Sequence, residues 1–172
     1  MRTFSEAYQT DCLVKKVKFP VSIIVWVCMS GRDVGKLHFI KDTVNADKYK
    51  DILKDILLPS IPLWQSIGGS YIFQQDGAAC HTVQTGKTWL ENHNIPIIRW
   101  VSSSPGLSPI KSLWHKMKKD LRQNPARTVN ELKLKLQQIW DNIEPEECAK
   151  LVDIMPNRIK TVIANKGGIT QY

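Results

Sequence analysis

The stretch Gln74-Gln75-Asp76-Gly77-Ala78-Ala79-Cys80-His81-Thr82 holds the most suggestive chemistry in the chain. Before it, Ser70-Tyr71-Ile72-Phe73 is aromatic and β-branched, which predicts a strand ending in a carboxylate. After Asp76 come three small residues, and His81 stands five positions on. In open α/β sheets the working side chains lie at the carboxyl ends of strands, and this pattern sets Asp76 there. An aspartate in that place is also a common turn former, so its meaning depends on what surrounds it.

Upstream, Val21-Ser22-Ile23-Ile24-Val25-Trp26-Val27-Cys28 predicts a buried strand. Ser30-Gly31-Arg32-Asp33 reads as a turn, and Lys36-Leu37-His38-Phe39-Ile40 as the antiparallel return strand of a hairpin. Asn45 is placed to cap a helix with Tyr49, Ile52, Leu53, Ile56 and Leu57 on one face, ended by Pro59 and Pro62. Downstream, a helix is expected over 83–92, and Ile95-Pro96-Ile97-Ile98-Arg99-Trp100 reads as a short edge strand.

Then comes Ser104-Pro105-Gly106-Leu107-Ser108-Pro109-Ile110-Lys111-Ser112-Leu113-Trp114, a proline-bracketed loop feeding an amphipathic helix. Ile110, Leu113, Trp114, Met117 and Leu121 form that helix's apolar face. A second helix starts at the capping box Thr128-Val129-Asn130-Glu131 and is expected to bury Val129, Leu132, Leu136, Ile139, Trp140 and Ile143. A third helical region from Pro145 is interrupted at Pro156 and closed by Lys166-Gly167-Gly168. The order β-β-α-β-α-β followed by helices predicts the α/β class, a mixed sheet with flanking helices plus C-terminal helices.

With 172 residues, 42% of them hydrophobic, the chain has ordinary globular composition, which excludes disordered and fibrous classes. The net charge of +8 suits a polyanionic partner. The charge is concentrated: nine basic residues lie between Arg99 and Lys135 against Asp120 and Glu131 alone. The polar start and the short apolar run after Pro20 predict no signal peptide and no membrane span, so the expected place is inside the cell, nuclear or cytoplasmic. Cys12, Cys28, Cys80 and Cys148 are scattered without a C-x-x-C pair, which argues for free thiols rather than a zinc site. Cys80 beside His81 makes a poor nucleophile pair, because a base must approach from elsewhere in the fold.

The stretches at 74–82 and 104–114 together resemble the catalytic core of Tc-one/mariner superfamily transposases, on the Tc-one-like side. Members carry Asp-Asn-x-x-x-His at a strand end and later Ser-Pro-Asp-Leu-Asn-Pro-Ile-Glu-Asn-Leu-Trp. The likeness extends to Val25-Trp26, Leu57-Leu58-Pro59, Trp89-Leu90-Glu91, and the tail from Met155-Pro156-Asn157-Arg158 to Lys166-Gly167-Gly168. The resemblance implies an RNase H-like fold in which three carboxylates hold Mg²⁺ ions for phosphodiester attack. Residues 1–20 read as an irregular N-terminal segment, 21–123 as a partial RNase H-like DDE core, and 124–172 as a C-terminal helical part of the same domain.

Residue by residue, Asp76 matches the second carboxylate and ancestral metal ligand. The third carboxylate position, 34 intervening residues later, is Lys111, with Ile110, Leu113 and Trp114 holding the register. Gly106, Ser108 and Gly77 also depart from the family's Asp, Asn and Asn. The family's first carboxylate lies on a strand well before the hairpin, whereas only Glu6 and Asp11 are acidic before Val21 here. The implied core therefore lacks its first, central strand, the one lying between the hairpin and the strand that ends at Asp76. That leaves strand edges exposed or poorly paired, or covered by residues 1–19.

The expected chemistry follows from these departures. Lys111 is read either as an internal counter-ion to Asp76 in place of Mg²⁺ or as a side chain pointing into solvent and pairing with nothing; an ammonium at about 4 Å gains roughly 4 kcal/mol at an effective dielectric near 20, before desolvation. Lys111, His115, Lys118 and Arg122, with Lys119 alongside, form a basic helical stripe suited to DNA phosphates. His81 is read as support for the site or as a loop-satisfying residue. The expected function is a transposase DDE-domain fragment without catalytic activity, binding DNA weakly, non-specifically and with strong salt dependence. The alternatives are an active metal-dependent strand-transferase or endonuclease, and a domesticated remnant that self-associates or binds a related transposase.

Overall fold

The computed structural model describes residues 21–65, 70–100 and 104–168. The expectations for residues 1–20 and for Cys12 lie outside the described residues. Strand β1 (Ile24–Trp26) pairs antiparallel with β2 (His38–Ile40), in the register Ile24↔Ile40, Val25↔Phe39 and Trp26↔His38. A further antiparallel bridge joins Met29 to Val34. The turn between them is held by Ser30 Oγ, which accepts from the N–H groups of Arg32 and Asp33 at 3.0 and 3.1 Å. The regular strands are thus shorter than the apolar runs that predict them.

The period-two alternation of the first run divides the hydrophobic interior. Val21, Ile23, Val25, Val27 and Met29 pack into one cluster, while Trp26 and Cys28 pack into another. The first cluster is closed by α5 (Pro109–Gln123), α6 (Val129–Asp141) and α7 (Pro145–Asp153) through Leu113, Met117, Leu132, Leu136, Trp140 and Cys148. The second is closed by α1 (Ala46–Ile52), α2 (Leu58–Gln65) and α4 (Gln84–Asn92) through Tyr49, Leu53, Leu57, Ile61 and Leu90. Gly35 joins the two. A Cβ there would clash with Cys28 Sγ, and the Gly35 carbonyl accepts from Trp140 Nε1 at 2.7 Å.

Asn45 caps α1, its Oδ1 accepting from the Lys48 N–H at 2.9 Å. The expected stop at Pro59 is overturned: helix continues to Gln65, with Pro62 inside it. The physical reason is a π turn at Leu53–Leu57, where Leu58 N–H reaches back five residues to Leu53 O. Beyond it, Ser60 Oγ donates to Ile56 O at 2.7 Å, so that a side chain satisfies a carbonyl within the disturbed ladder.

The strands expected over 70–76 and 95–100 reduce to one parallel bridge, Phe73↔Ile97. Phe73 N–H donates to Pro96 O at 2.7 Å and Ile98 N–H to Phe73 O at 2.9 Å. Among the described residues no strand joins this ladder to the hairpin, so neither ladder gains the second neighbour that extends a sheet. The expected helix over 83–92 is α4, preceded by the four-residue turn α3 (Ala79–Thr82) and a break at Val83.

Thr128 caps α6, with Oγ1 accepting from the Glu131 N–H at 3.1 Å, and Glu131 Oε2 accepts from the Arg127 N–H at 2.7 Å. Val129, expected in the core, is 47% exposed; it occupies the first turn of α6, where α5 has already ended at Gln123. Pro156 sits in the first turn of α8 (Met155–Ala164), where a missing N–H is tolerated. The C-terminal cap of α8 sets Lys166 at φ +50° and Gly167 at φ +81°, with Gly167 N–H donating to Val162 O. No helix among the described residues is long and apolar enough to cross a membrane.

Candidate functional site

Asp76 leaves the Phe73 ladder and turns its carboxylate onto the start of α3. Oδ1 accepts from the Ala78 N–H at 3.2 Å and lies 2.8 Å from His81 Nδ1. A carboxylate only accepts, so the shared hydrogen sits on Nδ1. Oδ2 lies 3.5 Å from Lys111 Nζ, carried in from the first turns of α5. Partial burial pushes the Asp76 carboxyl up. The Ala78 N–H, His81 and Lys111 outweigh it, and the group titrates below the ordinary carboxylate range.

Exposure sets the strength of the Lys111 contact. The two side chains are 46% and 44% exposed, so the pair lies in the screened surface regime worth about 0.2–1 kcal/mol. The gross Coulomb attraction of roughly 4 kcal/mol is mostly offset by desolvation, side-chain entropy and salt screening. His81 is more enclosed, its ring tilted against Tyr49 with centroids 4.6 Å apart.

A supporting set of residues escapes sequence reasoning. The Tyr49 hydroxyl donates to Gln75 Oε1, and Gln75 Nε2 donates to His81 O at 3.3 Å. Burial pushes the Tyr49 phenol well above its usual range, with Cys80 and Asp76 adding to the effect. Tyr49 in turn packs on Gly86 of α4, where a Cβ would stand 3.4 Å from its ring. From the other side, Gln74 Nε2 donates to Leu107 O at 3.2 Å, in the 3₁₀ turn Pro105–Leu107 that leads into α5. Arg158 of α8 donates to Gly106 O at 3.0 Å and to Ser112 Oγ at 3.3 Å. These contacts span up to 52 residues, and the only signal for them in the sequence is that Gln74 and Arg158 both lie within the stretches that resemble the transposase family.

Lys111, His115, Lys118, Lys119 and Arg122 are all exposed on α5. Lys116, on the same helix, is instead paired with Glu147 of α7. Cys28, Cys80 and Cys148 are free thiols. Burial, chiefly, pushes the Cys28 thiol up to about 12 and that of Cys148 to about 11, so neither is a ready nucleophile.

The described residues do not fit a divalent cation. They hold no group of three His, Cys, Asp or Glu side chains able to share one. Of the Asp76 oxygens, one meets an N–H and an imidazole and the other an ammonium. A hard cation needs several free oxygen ligands and is repelled by that ammonium.

Comparisons with known proteins agree on one relationship. A family model for DDE superfamily endonucleases matches residues 10–133. The transposable element Tcb2 transposase of Caenorhabditis briggsae is 33% identical over 153 residues, covering 88% of this chain and 55% of that protein. The transposable element Tc1 transposase of Caenorhabditis elegans is 29% identical over the same length and coverage. The chain therefore spans about half the length of the curated relatives it matches. Among solved structures, the catalytic domain of Mos1 mariner transposase superposes with a TM-score of 0.79 at 22% identity, covering 89% of this chain and 79% of that one. A pre-cleavage Mos1 transpososome gives a TM-score of 0.81 at 21% identity, covering 92% and 48%. These likenesses show an RNase H-like fold, of whose sheet the described residues hold the β1–β2 hairpin and the Phe73–Ile97 bridge.

Proposed function

The chain belongs to the DDE superfamily endonucleases, on the Tc1/mariner transposase side, and on that footing we propose that it is a DNA-binding transposase domain without strand-cutting activity. The observation that carries this reading is the contact between Lys111 and Asp76 at 3.5 Å. Two-metal phosphodiester chemistry needs carboxylates to hold the cations, and here a cation side chain stands beside the one matched carboxylate. The α5 stripe of Lys111, His115, Lys118, Lys119 and Arg122 would follow a phosphate backbone, the kind of partner found in the Mos1 paired-end complexes. We place this activity inside the cell, nuclear or cytoplasmic.

Three measurements test it. In plasmid nicking with Mn²⁺, the chain is expected to match its Asp76→Ala variant; nicking that disappears in that variant would overturn the reading. In Mg²⁺ or Mn²⁺ titrations, binding abolished by Asp76→Ala would overturn Lys111 as counter-ion. In DNA binding across salt concentrations, Lys118→Ala and Arg122→Ala are each expected to lower the slope by about one. A flat salt response of the unaltered chain would sink the phosphate stripe.

A further inference from the structure

We infer that Arg158 of α8 is a positioning residue that holds Lys111 against Asp76, which makes the C-terminal helix part of the candidate site. This rests on the reading of Lys111 as the counter-ion of Asp76.

The segment that delivers Lys111 is tied at points on both sides of it. Before Lys111, Arg158 Nη1 donates to Gly106 O at 3.0 Å. After it, Arg158 Nη2 donates to Ser112 Oγ at 3.3 Å, on the very next residue. One planar guanidinium therefore spans the 3₁₀ turn and the first turn of α5, a geometry its fixed fork suits and an ammonium does not. The same turn is tied to the Asp76 segment by Gln74 Nε2, which donates to Leu107 O at 3.2 Å, two residues before Asp76. Gln74 and Arg158 thus hold adjacent carbonyls of the same turn.

Burial strengthens the case. Arg158 is only 7% exposed, and taking a guanidinium out of water is costly unless its donors are well used. The Lys111 pair is weak by contrast, being half exposed, so its own attraction does not fix the long lysine side chain. Backbone placement must do so: burial of Leu113 and Met117 seats α5, and Arg158 and Gln74 tie down the turn that leads into Lys111.

The test reads the chemical accessibility of one amine against two others on the same helix. Trace acetylation of the whole chain, followed by peptide mapping, gives the rate at Lys111 relative to Lys118 and Lys119. A surface ion pair should slow Lys111 by up to about fivefold. Asp76→Asn is expected to remove that protection, and Arg158→Met to remove most of it. Ser112→Ala deletes a single acceptor without emptying the core and should remove part of it, which keeps the test open if Arg158→Met does not fold. Thr128→Ala, a cap loss on α6, should lower stability without changing the ratio.

If Asp76→Asn frees Lys111 while Arg158→Met and Ser112→Ala leave the ratio unaltered, the positioning role is overturned and the counter-ion reading stands. If Asp76→Asn changes nothing, the counter-ion reading fails and the positioning role falls with it. If Thr128→Ala raises the ratio as much as Arg158→Met does, the effect is general loosening and the proposal is overturned.

Discussion

The two faces of the β1–β2 hairpin rest on interiors of different build. One packs against helices of 15 and 13 residues, α5 and α6, with Trp140 at its centre. The other packs against a helix broken by a π turn and against α4, with the four-residue α3 alongside, around Tyr49 and Leu53. The first side carries the cations, including Lys111, on one long rigid helix. The second carries Asp76 three residues past the Phe73–Ile97 bridge and His81 on a short turn. The candidate site is therefore a seam: its cation belongs to one interior and its carboxylate to the other.

The largest expected effect tests whether the seam makes the two interiors one unit. Trp140→Ala removes a buried indole and its bond to Gly35 O, and should cost about 3–5 kcal/mol in urea denaturation. Hydrogen exchange should show α1 and α4 losing protection together with α5 and α6. Unaltered protection in α1 would mean two independent interiors. A smaller effect is expected at the joint itself. Gly35→Ala places a methyl against Cys28 Sγ and should cost about 1–3 kcal/mol, with faster reaction of Cys28 with a thiol reagent. A neutral outcome would show that the joint is loose.

The smallest effect concerns the seam's electrostatics. The Asp76 pKa is lowered on folding, so the unfolded chain binds more protons wherever the two states differ. The stability this contributes is present above the ordinary carboxylate range and is lost as pH falls through the folded-state pKa. Asp76→Asn should therefore flatten the acid limb of Tm against pH while leaving its neutral limb parallel to that of the unaltered chain. An acid limb of unchanged slope would show that the contacts of Asp76 contribute nothing to folding.

Local signals were legible and distant ones were not. The caps at Asn45 and Thr128 and the amphipathic face of α5 depend on residues three or four apart, and each forms where the sequence places it. The strands over 70–76 and 95–100 depend on neighbours elsewhere in the chain, and their β-rich composition could not reveal that only Phe73 and Ile97 would pair. Pro59 and Pro62 read as a stop because a proline stops a regular α-helix, and the π turn ahead of them is not regular. The 35-residue spacing brings Lys111 to the notice of anyone matching motifs, yet Tyr49, Gln74 and Arg158 support the site through contacts that no spacing announces.

The π turn also settles a question of phase. Tyr49, Leu53, Leu57 and Ile61 recur every four residues, and all four are 7% exposed or less. At 3.6 residues per turn, each four-residue step overshoots by about 40°, and three steps drift by about 120°. A regular helix would have carried Ile61 a third of the way around, toward water. The wider turn winds that drift back, as a leap day does a calendar, by taking up one extra residue: deleting one residue between Leu53 and Leu57 would leave a regular α-helix with Ile61 still facing the interior, whereas inserting one would swing everything after it away.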